Sequence, residues 1–132
     1  EEFKRVKIRN FIKNMELEGL DKDKFNLTIT NLKFANETIK YFVEKNLKDN
    51  LTISNTNDYV ILSKFFFDQP EEVVFRSLTK VIKMVGKNYY PARGKKIDKL
   101  VDHIKKENSF KTTLGNCIIK KVNKTVIVLK EH

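Results

Sequence analysis

Side chains able to do covalent chemistry are few in this chain. Cys117 is the single cysteine; it opens the apolar run Cys117-Ile118-Ile119 with no His or basic residue beside it. It therefore reads as a small buried hydrophobe and not as a nucleophile. His103 lies between Asp102 and Ile104, His132 is the last residue, and no spacing ties either to a nucleophile. Asp98 and Asp102 stand four apart among Lys95, Lys99 and Lys106, an arrangement that suits surface ion pairing on a helix better than an acid/base pair. The glycines Gly19, Gly86, Gly94 and Gly115 are too far apart to form a phosphate-cradling loop. One Cys and two His cannot make a structural zinc site. A complete small enzyme is thus the last-ranked reading.

Polyanion binding has more residues behind it. The chain carries 27 Lys+Arg against 17 Asp+Glu, a net charge of +10. Residues 1–86 hold 15 basic and 13 acidic side chains, whereas residues 87–132 hold 12 and 4. AT-rich coding would enrich lysine, but it would scatter it evenly. A surplus gathered on one portion is the footprint of a nucleic-acid binder. Within it, Lys96, Lys99, His103 and Lys106 recur at three or four residues, which places them on one strip of a helix, and Arg93 and Lys95 add charge at its start. Tyr89 and Tyr90 stand nearby. Cations beside aromatic rings suit RNA, whose phosphates take the charge and whose unstacked bases can lie on the rings. For Tyr90, packing into the core or a rigid turn at Pro91 is the preferred account. Near the start, Arg5, Arg9 and Lys13 follow at intervals of four, and arginine's planar fork can grip phosphate bidentately. Glu2 and Glu16 share that edge and offer intrahelical pairing instead. Arg76, amid Val74, Phe75 and Leu78, is assigned to packing or to a pair with Glu72.

These residues need elements to hold them. At 132 residues, 40% hydrophobic and 11% aromatic, the chain suits one globular domain that buries roughly two-thirds of its unfolded surface without disulfide or metal. Ile8, Phe11, Ile12 and Met15 mark a first helix over residues 3–17, stopped by Gly19. Asp21 caps a second, which ends near Asp49-Asn50; Glu18-Gly19-Leu20 would join the two as an up-and-down pair. Leu51–Ser54 and Tyr59–Leu62 flank the turn Asn55-Thr56-Asn57-Asp58 and read as short strands. A third helix starts at Asp68-Gln69-Pro70 and buries Val74, Leu78, Val81, Ile82 and Val85. A fourth spans about 93–106 with Ile97, Leu100, Val101 and Ile104 inward. Asn116–Leu129 reads as a hairpin turning at Asn123. The expected class is α+β: about four helices, mainly antiparallel, with a small antiparallel sheet built around a C-terminal hairpin.

No apolar run approaches the roughly 20 residues of a membrane helix, and no targeting segment is visible. A lone cysteine fits a reducing compartment, so a cytoplasmic location is expected. The chain opens Glu1-Glu2-Phe3-Lys4 without Met and is expected to begin inside a longer protein.

Several segments in order resemble the tRNA(Ile)-lysidine synthetases. Phe3-Lys4-Arg5-Val6-Lys7-Ile8-Arg9 resembles the Arg-x-x-x-Arg helix that leaves their catalytic domain. Tyr90-Pro91-Ala92-Arg93-Gly94-Lys95-Lys96-Ile97 is similar to their Tyr-Pro-x-Arg-x-x-Lys segment. Thr113-Leu114-Gly115-Asn116-Cys117 resembles a Thr-Leu-Gly-Gly-Cys strand, and Leu129-Lys130-Glu131 the closing Arg-Glu. Asn116 replaces the second Gly of that strand, Lys87 the second Gly of a pair after the third helix, and Lys130 an Arg.

The resemblance implies an enzyme that uses ATP and magnesium to activate the wobble cytidine of an isoleucine tRNA and attach lysine there. Activation would fall to an N-terminal PP-loop ATPase domain with a Ser-Gly-Gly-x-Asp-Ser motif, which this sequence does not contain. Residues 1–20 would then be a connecting helix and 21–132 a helical tRNA-binding domain with a C-terminal hairpin. The chain is expected to be inactive alone, to bind no cofactor, and to have as partners tRNA and its own catalytic domain, not a membrane. The resemblance carries over Arg5, Arg9, Arg93 and Lys96 as tRNA-binding residues; Lys95 and Lys99 join them from charge and helix geometry. The rival reading is a protein-interaction or structural domain without RNA contact.

Overall fold

The computed structural model describes residues 2–19, 21–56 and 58–132. Leu20 of the first connection, Asn57 of the first strand turn and Glu1 lie outside the described residues. The elements run α1 (Glu2–Leu17), α2 (Lys22–Asn50), β1 (Leu51–Ile53), β2 (Tyr59–Leu62), a 3-10 helix (Lys64–Phe67), α3 (Glu71–Gly86), α4 (Gly94–Lys106), β3 (Ser109–Leu114), β4 (Cys117–Val122) and β5 (Thr125–Lys130). This is the expected α+β class. The chain divides into two compact units, one ending at Thr38 and one from Ile39 to His132.

The first unit holds α1 and the N-terminal part of α2. The Asp21 carboxylate accepts the Asp23 N–H at 2.9 Å, capping α2 as its sequence predicts. Thr28, Thr30 and Thr38 each bond back to the carbonyl four residues earlier. The apolar residues of α1 fall at helical spacing, yet the helix has no buried residue; Phe3 is 72% exposed, and Ile8 and Phe11 are exposed as well. Leu27, Leu32 and Phe34 are likewise uncovered on α2.

The second unit carries the core. Its five-stranded sheet has the order β1-β2-β5-β4-β3, with every neighbouring pair antiparallel. Alternation puts Val60, Leu62, Cys117, Ile119, Val126 and Val128 on one face, all buried. The 3.6-residue period of α3 buries Val74, Leu78, Val81 and Ile82 against that face, with Val85 half-buried, and α4 adds Ile97, Leu100 and Ile104. The opposite face carries half-buried Ile61, Ile118, Ile127 and Leu129 beside exposed Tyr59.

Three local features differ from the expectation. Residues 64–67 form a 3-10 helix that inserts Phe66 and Phe67 into the core and turns Phe65 outward. The Thr113–Ile119 segment is two strands and not one. Gly115 (φ 57°) and Asn116 (φ 62°) make a tight turn that pairs Leu114 with Cys117, adding β3 as a border strand. Pro70 is the N-cap of α3, not a residue of its first turn.

A buried polar cluster ties α2 to the rest of this unit. Asn46 donates to the Phe66 carbonyl and to Ser77 Oγ, each at 3.2 Å, and accepts from Asn50 at 2.8 Å. Asn46 and Ser77 are both fully enclosed, so each bond satisfies a group that water cannot reach.

Candidate nucleic-acid interface

Arg93 is the N-cap of α4, and Lys95, Lys96 and Lys99 project from its exposed side. Burial of Ile97, Leu100 and Ile104 sets the helix rotation. Residues three and four apart share a flank, so Lys96, Lys99 and His103 are driven to one side together. That side opens on β3. Lys96, Lys99 and His103 line one wall of a groove of about 260 Å³, with Thr112 and Thr113 of the strand along the other. His103 stacks on Phe110 of β3, their centroids 4.2 Å apart and the rings 9° from parallel. Arg93 and Lys95 stand outside the groove lining. Thr112, Thr113 and Phe110 are not legible in the sequence as part of a site, because only the pairing of β3 with β4 brings them beside α4. Their Ser-Phe-Lys-Thr-Thr-Leu alternation was the available signal.

The other flank of α4 has the opposite sign. Asp98 and Asp102 line a shallow groove with Glu71 of α3, and neither makes an ion pair among the described residues. The surface pairing expected for them is not formed. The helix thus differs by flank: Lys96, Lys99 and His103 face β3, whereas Asp98 and Asp102 face Glu71 of α3, with Lys105 beside them.

The other candidates fall as follows. Arg5 and Arg9 lie exposed on α1, in the first unit, and make no ion pair among the described residues. Arg76 pairs with Glu72 at 2.9 Å, as expected. Tyr89 and Tyr90 are 89% and 78% exposed, with ring centroids 5.8 Å apart. This corrects core packing for Tyr90, one of the two accounts given for it, and leaves the turn at Pro91; Ala92 is the residue of this segment that packs against the core. Cys117 is buried and donates to the Ile82 carbonyl at 3.3 Å. Burial pushes its thiol up to about 11, and the nearby Glu131 carboxylate acts in the same direction against a backbone N–H at Gly86. It is an inert thiol. No three His, Cys, Asp or Glu side chains gather to hold a metal among the described residues. No described helix is long and apolar enough to cross a membrane.

The two departures from the glycine pattern keep a left-handed backbone. Lys87 (φ 54°) ends α3, its N–H reaching the Lys83 and Met84 carbonyls, and Asn116 (φ 62°) makes the β3–β4 turn. Both are conformations that glycine adopts most cheaply.

No family model matches the chain, and no solved structure matches it. Among curated proteins it is 22% identical over 130 residues to the tRNA(Ile)-lysidine synthase of Wolbachia sp. subsp. Brugia malayi (strain TRS). It is 21% identical over 130 residues to that of Wolbachia pipientis wMel. Each alignment covers 98% of this chain, and the chain spans about 30% of the length of either relative. The likeness to tRNA(Ile)-lysidine synthetases first carried by short motifs therefore extends along nearly the whole chain.

Proposed function

We propose that this chain is the tRNA-binding portion of a tRNA(Ile)-lysidine synthetase, C-terminal to the catalytic domain. The full enzyme would use ATP and magnesium to activate the wobble cytidine of an isoleucine tRNA and join lysine to it, in the cytoplasm. On this reading ATP and magnesium belong to a domain outside this chain, as the resemblance implies, and the chain alone is inactive. Residues 1–20 act as the connection to that domain.

The observation that carries this reading is the cationic groove between α4 and β3, in a chain similar end to end to enzymes that modify tRNA. Lys96 and Lys99 supply point charges for phosphate oxygens, while Thr112, on the sheet face that α4 covers, offers a hydroxyl to ribose or phosphate. Arg93 and Lys95 at the start of α4 extend this cationic surface, and Arg5 and Arg9 on α1 offer tRNA contacts in the first unit. The test is binding of a transcribed isoleucine tRNA to this chain across a salt series. Contacts with about six phosphates give a log–log slope near −5, as counterion release requires. Affinity that stays flat from low to moderate salt overturns the reading.

A second reading, a domain that packs on its own catalytic partner without touching RNA, is favoured by the uncovered apolar residues Phe3, Ile8 and Phe11 of α1. A gel shift separates the two: retarded tRNA supports the first, and unretarded tRNA with capture of the catalytic domain supports the second.

A further inference from the structure

A second group of cations converges at the far end of α4. Lys64 from the 3-10 helix, Lys105 from α4, Lys121 from β4 and Lys124 from the β4–β5 turn line a cleft of about 330 Å³, with Asp68 the one carboxylate beside them. Four lysines from four elements repel one another; Lys105 also borders the groove of Glu71, Asp98 and Asp102, whereas that groove holds none of Lys64, Lys121 and Lys124. Lys121 donates to the Ile104 carbonyl, which fixes it at the C-terminal end of α4, where a cation is favoured. Lys64, Lys105 and Lys124 make no ion pair among the described residues.

An aromatic ring stands beside the cleft, next to Lys64. Of the three consecutive phenylalanines, Phe66 and Phe67 are buried, whereas Phe65 is 55% exposed. The Lys64 ammonium, which lines the cleft, lies 5.0 Å from the centroid of the Phe65 ring. Phe65 is absent from the core cluster, so packing of that core does not account for its ring. A flat apolar ring next to ammonium groups that form no ion pair among the described residues matches what a single-stranded nucleotide presents, a base and a phosphate.

We propose that this cleft is a second RNA contact, in which an unpaired base stacks on Phe65 while the adjoining phosphate is held by Lys64, Lys105 and Lys124. The proposal rests on the tRNA-binding reading above and adds a site to it. Lys105 lies nine residues beyond Lys96, about 13 Å along the helix axis, so one RNA can engage both ends of α4.

The experiment is anisotropy of a fluorescein-labelled isoleucine tRNA transcript with wild type and two variants. One is Lys64→Gln/Lys105→Gln/Lys124→Gln, which keeps most of each stem, and the other is Phe65→Ala. The triple variant is expected to lose affinity about tenfold or more at moderate salt and to flatten the log–log slope by about 2 to 3. Phe65→Ala is expected to lose about 5- to 100-fold with the slope unchanged, since it removes stacking and no charge. Thermal melts establish that each variant is folded. Should either melt below the assay temperature, cross-linking of thiouridine-substituted tRNA to wild type replaces it. Adducts on the Phe65 peptide support the site, and adducts confined to other peptides overturn it. Variants that bind like wild type, while Lys96→Ala/Lys99→Ala is weakened, overturn this site and leave the first standing. A wild type that does not bind tRNA overturns both.

Discussion

Asn88 donates from Nδ2 to the Gly115 carbonyl at 2.6 Å and accepts from Asn116 Nδ2 at 2.6 Å. One side chain just beyond α3 thereby grips the β3–β4 turn from both sides. The closeness of that approach depends on Gly86, where a Cβ would collide with the Gly115 carbonyl and lie 2.7 Å from Asn88 Nδ2. Gly86→Ala is expected to destabilise the fold by about 2–4 kcal/mol, from overpacking and the loss of the Asn88 bond. Urea unfolding measures it, and a change below about half a kcal/mol would show that the turn yields freely.

The left-handed residues should respond unequally to glycine. Lys87→Gly removes a backbone strain of roughly 1 kcal/mol at the end of α3 and should raise stability by about that amount, less the extra freedom of the unfolded chain. Asn116→Gly relieves less, because asparagine tolerates this conformation, and it forfeits the bond to Asn88. Near-neutral or mildly negative stability is expected there. Thermal melts of the pair settle the order.

Asn46→Ala should cost about 2–4 kcal/mol by chemical denaturation. It strands the enclosed Ser77 hydroxyl and Phe66 carbonyl, both of which Asn46 serves. Ser63 reaches this cluster through Asn50 at 3.4 Å, so Asn46→Ala/Ser63→Ala should cost less than the sum of the two single changes.

Cys117 sets an alkaline limit. Its ordinary value of 9.0 is raised to about 11 in the fold, so the neutral thiol is the form the folded state favours. The corresponding stability is fully present below pH 9 and is lost as pH rises toward 11. Thiolate absorbance in the ultraviolet should appear only toward the top of that window, and thiol reagents should fail at neutral pH until the protein unfolds. Fast labelling of folded protein at neutral pH would contradict the buried placement.

RNA affinity should track location more than charge count. Replacing Arg93, Lys96 and Lys99 by Ala is expected to weaken tRNA binding about 10- to 100-fold at moderate salt and to lower the salt slope by about 3. Replacing Lys33, Lys40 and Lys45 on α2 should change it less than about threefold. Equal losses would point to non-specific attraction.

Helices were the legible part of this chain. The apolar positions of α3 and α4 recur at three and four residues, and Asp21 stands where a cap belongs, so local spacing is sufficient. Strands depend on partners far along the chain. β3 carries Lys111, Thr112 and Thr113 in its middle because it borders the sheet and has less to bury, and its pattern is too weak to see without β4. The same cause hid half of the groove. Lys96, Lys99 and His103 follow from the helix alone, whereas Thr112 and Thr113 meet them only through the strand register. Tyr90 misled because an aromatic beside Pro91 looks like a packed turn, and no local signal says that Ala92 takes the inward place.

The two outer strands bear on how copies of this protein behave when crowded. β1 has three residues, too few for a long ladder with a neighbour, and Lys111 sits in the third of the six positions of β3. Two molecules meeting border to border along β3 would bring ammonium groups face to face, so the sheet resists zippering into fibrils at high concentration.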